Sequence, residues 1–298
     1  MFAAVGSVVA YHFEKKDHSV ATAIRRISVE QIDLATQALK TAELPLSQRI
    51  HEARKAVKKL RGLLRMIRPA FKDYTLEDNA LRDAGRSIVN VRDAQVGIVT
   101  LQAVSVLAHL SPQDIAPLRA VFEARVAAVE APEAFAAQID AFLIPWQDLR
   151  RRACDWTLQC KGYGALEDGL QRSFIAACRA ERAVGPGAKD VAVHEWRKRA
   201  KDHWYQARLL EPIWPAIMQV HSAEAGRLGD ILGEHQDIAV LIGQLPETAL
   251  ADRVRLAANA RQKELLATAH PLSRRIFAGS PSSFAHRWGA WWKVWKAG

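Results

Sequence analysis

Cysteine is scarce in this sequence, and its placement rules out most cysteine chemistry: Cys154, Cys160 and Cys178 form neither a C-x-x-C pair nor zinc-finger spacing. A disulfide framework is excluded, and the thiols read as the reduced cysteines of a cytoplasmic protein. Long apolar runs are missing too. No window reaches the roughly 18 uncharged apolar residues of a membrane span. The apolar stretch Phe2 to Ala10 has no basic residue ahead of it and soon meets Glu14-Lys15-Lys16, so it is expected to be neither a span nor a signal peptide. Catalytic signatures do not stand out either: there is no Gly-x-Ser-x-Gly, and no paired carboxylates mark a plausible helical site. Gly185-Pro186-Gly187-Ala188-Lys189-Asp190 lacks the spacing and the final Ser/Thr of a phosphate loop. Acids are in deficit, with 32 Asp+Glu against 42 Lys+Arg, a net charge of +10 and a pI near 9.7. That balance favours an anionic partner without naming it.

Helix formers dominate instead. Ala, Leu, Arg, Glu and Gln are abundant, period-two alternation is rare, and 49% hydrophobic residues can bury a large core. The expected fold is all-α. Helices are predicted near Ser19–Glu43, Ser47–Ile67, Leu76–Leu110, Pro112–Val129 and Glu133–Phe142. Further on they are predicted near Leu166–Ala183, Val191–Leu210, Ile217–Ile242, Ala249–Ala269 and from about Ser283. Ser47 is a candidate N-cap, and Pro69 and Pro212 stop two of the helices. The weakest breakpoint falls near Leu143–Arg150, and Ala183–Lys189 is expected to be a loop. Trp288, Trp291, Trp292 and Trp295, at helical spacing, are expected to pack in the core.

The chain repeats itself. His51-Glu52-Ala53-Arg54-Lys55-Ala56-Val57-Lys58 matches His194-Glu195-Trp196-Arg197-Lys198-Arg199-Ala200-Lys201 at an offset of 143 (194 − 51). At the same offset Arg65 meets Arg208, Pro69 meets Pro212 and Phe71 meets Trp214. Arg92-Asp93-Ala94-Gln95-Val96 then meets Gln236-Asp237-Ile238-Ala239-Val240 at an offset of 144 (237 − 93), so one unit is duplicated with a single-residue indel. A repeat that copies cations as well as core residues points to a site built twice around a two-fold axis.

On a helix, His51, Arg54, Lys55, Lys58, Arg61 and Arg65 share one face, with Val57, Leu60, Leu64 and Ile67 roughly opposite. His194, Arg197, Lys198, Lys201 and Arg208 form the matching stripe, while Trp196, Ala200 and Ala207 turn to the core. Fourteen rises separate His51 from Arg65, about 21 Å at about 1.5 Å each, a track for an elongated anion. From Arg49 to Arg68 eight Lys or Arg residues accompany one acid, Glu52. A solvated face shaped for stability would interleave carboxylates, because like charges at this spacing weaken a helix. His-Glu-x-x-Lys puts a cation where a zinc protease needs its second histidine, so no metal is expected there, and no cofactor is expected anywhere.

These motifs, in this order and in duplicate, resemble the CHAD family. The likeness rests on His-x-x-Arg-Lys-x-x-Lys followed by Leu-Arg, on the later Arg-Asp-x-x-Val, and on Lys201-Asp202-His203-Trp204-Tyr205. It extends from Tyr11-His12, Ala23-Ile24-Arg25-Arg26 and Glu30-Gln31 to Arg275-Ile276-Phe277-Ala278 and Trp291-Trp292. The resemblance implies two antiparallel four-helix-bundle-like halves related by a pseudo-two-fold axis, a single domain over 11–298 with halves 11–150 and 151–298. It also implies non-catalytic binding of inorganic polyphosphate where the halves meet. The implied contacts are His51, Arg54, Lys55 and Lys58, their counterparts His194, Arg197, Lys198 and Lys201, and additionally Arg25, Arg26, Arg172 and Arg179; the helical stripes themselves add Arg61, Arg65 and Arg208 as binding candidates. Gln236 in place of Arg92, and Asp202 in place of Lys59, imply unequal halves. Intracellular polyphosphate-containing granules are a candidate destination. Two other classes stay open. An enzyme of polyphosphate or phosphoester metabolism needs acidic metal ligands, for which Asp93 and Asp237 are the only repeated candidates. A nucleic-acid binder needs aromatics among the cations, and only one copy has them, at Trp204 and Tyr205.

Overall fold

The computed structural model describes residues 11–88, 90–129 and 132–298, with the backbone alone at 90–95, 128–129 and 132–136. The Arg92-Asp93 side chains thus lie outside the described residues. Among those described there are eleven α-helices and no strand: α1 (Val20–Lys40), α2 (Leu46–Ile67), α3 (Tyr74–Ser87), α4 (Asn90–Leu107), α5 (Ala116–Val129), α6 (Pro132–Ala153), α7 (Gly164–Arg182), α8 (Asp190–Leu209), α9 (Pro215–Gln244), α10 (Ala249–Ile276) and α11 (Pro281–Ala297). No helix among them is long and apolar enough to cross a membrane.

Three expectations about local structure are corrected. Ser47 is not a cap, because α2 begins one residue earlier behind Pro45, which offers no side-chain hydrogen bond. The single helix expected over 76–110 is two, because the backbone leaves helical geometry at Ile88 (φ −123°, ψ 34°). The break has a tertiary reason: α3 packs on α2 and α6, whereas α4 packs on α5, α9 and α10. The breakpoint expected near 143–150 lies inside α6, where Phe142, Trp146 and Leu149 are buried and Trp146 Nε1 donates to Ile32 O at 3.1 Å. The proposed 150/151 division therefore falls in the last turn of a helix.

Helices α1, α2, α3 and α6 form one group, and α7, α8, α9 and α11 another. They join where α2 lies against α7 and α8, and a single apolar core runs through both groups. A smaller core lies between α4, α5 and parts of α9 and α10. The join is close. A Cβ at Gly169 of α7 would fall 1.8 Å from Met66 O, and one at Gly62 of α2 would fall 2.9 Å from Tyr205 Cβ, so both positions need the smallest residue. Trp288 and Trp292 are core residues, while Trp291 and Trp295 pack partly buried against it. Beside Trp288, Phe277 and Phe284, His203 of α8 and His221 of α9 face each other, Nε2 to Nε2, at 2.8 Å.

Candidate functional site: a cationic cleft on α2

The α2 positions that bury Ile50, Ala53, Val57, Leu60, Leu64 and Ile67 turn Arg54, Lys58, Arg61 and Arg65 outward, while Lys59 stays buried. Arg54, Lys58, Arg61 and Arg65 then line a cleft of about 350 Å³. Arg82 and Arg86 of α3 form one wall, Lys198 and Arg199 of α8 another, and Val57, Leu81 and Gly85 complete the lining. Eight of the eleven lining residues are cationic and none is a carboxylate. A second hollow, of about 230 Å³, continues past Arg61, Arg65 and Arg199 to Arg68, Tyr74 and Arg172, and here Asp78 and Asp202 enter.

Those two carboxylates fix the guanidinium groups between the hollows. Arg61 is held in a fork by Asp78, with Nε to Oδ1 at 2.9 Å and Nη2 to Oδ2 at 3.2 Å. Arg65 reaches Asp202 at 2.5 Å, and Arg199 reaches the same carboxylate at 3.2 Å and Glu195 as well. Burial raises the Asp78 carboxyl, but the hydrogen bond and charge of Arg61 and the charge of Arg65 outweigh it and hold the group below its ordinary value. A guanidinium anchored through one edge keeps its other N–H groups for a second oxyanion, without the rotamer entropy a free side chain loses on binding.

The remaining residues singled out in the sequence are distributed unevenly. Lys198 reaches the cleft, but Arg197, Lys201 and Arg208 do not. Positions 197 and 199 differ by about 200° around α8, so when Arg199 faces α2 Arg197 faces α9. There Lys201 lies across Gly229, pairs with Asp230 at 2.9 Å and sits 4.2 Å from the Trp204 ring centre. Arg197 lies beside Gly233, and Arg208 stands 5.3 Å from the Trp204 centre. Of the α8 stripe, Lys198 thus shares the cleft with the α2 cations, whereas Arg197 and Lys201 lie against α9. His194, half-buried, is held below its ordinary pKa by burial and then by Lys198 and Arg197, so it is neutral at pH 7. His51 is half-buried, and Lys55 pairs with Glu52 at 3.3 Å. Arg172 lines the second hollow, whereas Arg179, two turns further along α7, is exposed and lines neither. Arg26 is taken up by Asp17, Glu30 and His12 O, and Arg25 donates to Trp156 O at 3.3 Å, so both tie loops to α1 instead of facing the cleft.

Sequence reasoning missed Arg82, Arg86, Arg199 and Arg68. At the offset of 144, Arg82 and Arg86 align with Gly226 and Asp230, so the repeat carries no trace of them. Their own i, i+4 spacing is the signal that remained, although Asp83 pairs with both. Among the described residues no cluster of His, Cys, Asp or Glu suits a metal ion.

The profile of the CHAD domain matches residues 29–246. Among solved structures, PptA from Streptomyces chartreusis superposes with a TM-score of 0.60 at 13% identity, covering 83% of this chain and 96% of that one. The crystal structure of the CHAD domain from the plant Ricinus communis superposes with a TM-score of 0.55 at 15% identity, covering 89% and 93%. At such identities the likeness is one of fold. No curated protein matches the sequence. The family match takes in α2, α3 and α8, the three helices that wall the cleft, and spans most of the chain, which therefore belongs to the CHAD domain family.

Proposed function

We propose that the protein binds inorganic polyphosphate along the α2 cleft without consuming it, acting over 11–298 as one module of two repeat halves. Arg54, Lys58, Arg61 and Arg65 contact the chain from α2, and Arg82, Arg86, Lys198 and Arg199 from the facing walls, with Arg172 at the far end. The observation that carries this reading is the lining, cationic at eight positions and free of carboxylate. Polyphosphate offers only oxygens, with about one charge per phosphate, so charge-assisted hydrogen bonds must supply its recognition. Membership of a family whose known role is polyphosphate binding supports the same reading. Association with polyphosphate-containing granules would follow from such binding.

The test is a competition between long-chain polyphosphate and single-stranded DNA of equal charge, with orthophosphate followed in the same tube. Polyphosphate is expected to win and to remain intact. Equal or tighter DNA binding would sink the specificity, and magnesium-dependent release of orthophosphate would make the protein an enzyme.

A further inference from the structure

Beside the N-terminal Tyr11, Lys59 of α2 and Arg208 of α8 come together. Lys59 Nζ and the Arg208 guanidinium approach the same Tyr11 ring, at 5.0 Å and 6.0 Å from its centre. Lys59 is only 8% exposed, and its Nζ donates at 2.7 Å to Gln31 Oε1, a neutral partner. Neither cation makes an ion pair among the described residues, whereas other largely enclosed arginines do: Arg26 with Asp17 and Arg65 with Asp202. The charged groups facing Lys59 are Arg208 from α8 and Lys55 and Glu52 from its own helix. The N-terminal segment presents Tyr11, and α1 presents Gln31. Burial, then Arg208 and Lys55, push the Lys59 ammonium down to about 8. An enclosed charge left unpaired beside a like charge is costly, and the cost ends when an anion arrives.

We propose that this meeting of cations is a second phosphate site, where Arg208 and Lys55 contact a phosphoryl oxyanion and Lys59 lies beneath them as the charge that the anion neutralises. The inference rests on the polyphosphate reading and adds to it a face and a residue. Lys55 pairs with Glu52 at 3.3 Å, and the Trp204 ring beside Arg208 also carries Lys201, so cations gather along the approach. Where Lys59 is a neutral amine before binding, it takes one proton from solvent and becomes an ammonium. No other bond changes.

Calorimetric titration of the full chain with long-chain polyphosphate, whose internal phosphates do not titrate in this range, tests the site. Two buffers of different ionisation enthalpy are used. At about pH 8.5 the heat should depend on buffer, reporting uptake of a fraction of a proton per site, and the dependence should vanish near pH 6.5. Lys59→Met should abolish it and weaken binding about ten-fold at pH 7. That variant should also melt at a higher temperature, because an unpaired enclosed charge is gone, so lost affinity is not lost structure. Buffer-independent heat from the wild type at pH 8.5, or Lys59→Met with wild-type affinity and proton uptake, overturns the proposal. Absence of binding at every pH overturns the parent reading with it, whereas binding without proton uptake overturns this inference alone.

Discussion

A carboxylate at position 202 and an ammonium at position 59 occupy matching places in the two copies and leave their neighbours in opposite states. Asp202 neutralises Arg65, which is largely enclosed, while Lys59 faces Arg208 and repels it. Replacing Asp202 by Asn should therefore cost about 3 kcal/mol, the usual consequence of stripping one partner from a buried pair. The same change adds positive charge beside the cleft, so urea unfolding should show a less stable protein and titration a tighter polyphosphate complex; a variant that binds more weakly while still folded would contradict this. The enclosed His203–His221 pair sets the response to acid. Burial, and then Arg287, depress His221 to about 4, and burial with His221 carries His203 well down too. Below about 6.5 the unfolded chain takes up protons that the folded chain refuses, so stability is full above that value and is lost as the pH falls through about 4. At about 1.4 kcal/mol per unit, His221 alone accounts for about 3 kcal/mol. Melting temperatures between about pH 7 and 4.5 should fall steeply, and His221→Phe should flatten the slope; a flat wild-type profile would refute the assignment.

Helix α2 is the element that the sequence describes best. Its apolar and cationic positions alternate with the helical period, and the structure buries the first set and opens most of the second to the cleft. What periodicity cannot convey is the neighbour. It orders residues around their own axis, and it gave α8 a stripe equivalent to that of α2, but not the fact that Arg197 and Lys201 of this stripe face α9 while Lys198 reaches the cleft. The cause lies in α9, where Gly226, Gly229 and Gly233 leave room for Trp204, Lys201 and Arg197 to lie down. Position 226 aligns with Arg82, which instead rises as a wall of the open cleft. The two stripes should accordingly respond differently to mutation. Arg54→Ala with Lys58→Ala should weaken long-chain polyphosphate by about ten-fold or more and leave the melting temperature unchanged or slightly higher, since self-repulsion is relieved. Arg197→Ala with Lys201→Ala should lower the melting temperature, because the Lys201–Asp230 pair and the cover over α9 are lost, and should reduce cleft binding less. Equal losses of affinity from the two pairs, with equal melting temperatures, would restore a single shared groove.

The chain carries a net charge of +10 and eight cations line the α2 cleft, and contacts spread over so many side chains would make binding a matter of screening and counter-ion release. Affinity for polyphosphate should fall steeply and smoothly with added salt; a nearly flat response would mean a compact dry pocket instead. The touching backbones of α2 and α7 at Gly169 and Met66 carry a further consequence, for the kinetics of encounter. Helices in such contact are not expected to swing apart as jaws, so the end of the groove between α2 and α7, where Arg172 stands, is expected to be formed before the ligand arrives. In stopped-flow mixing, the observed rate should then rise in proportion to polyphosphate concentration without levelling off. Salt should act mainly by slowing arrival, since capture by a rigid charged surface is limited by steered diffusion and not by a change of shape. A rate that saturates with concentration would expose an opening step that this crossing does not permit.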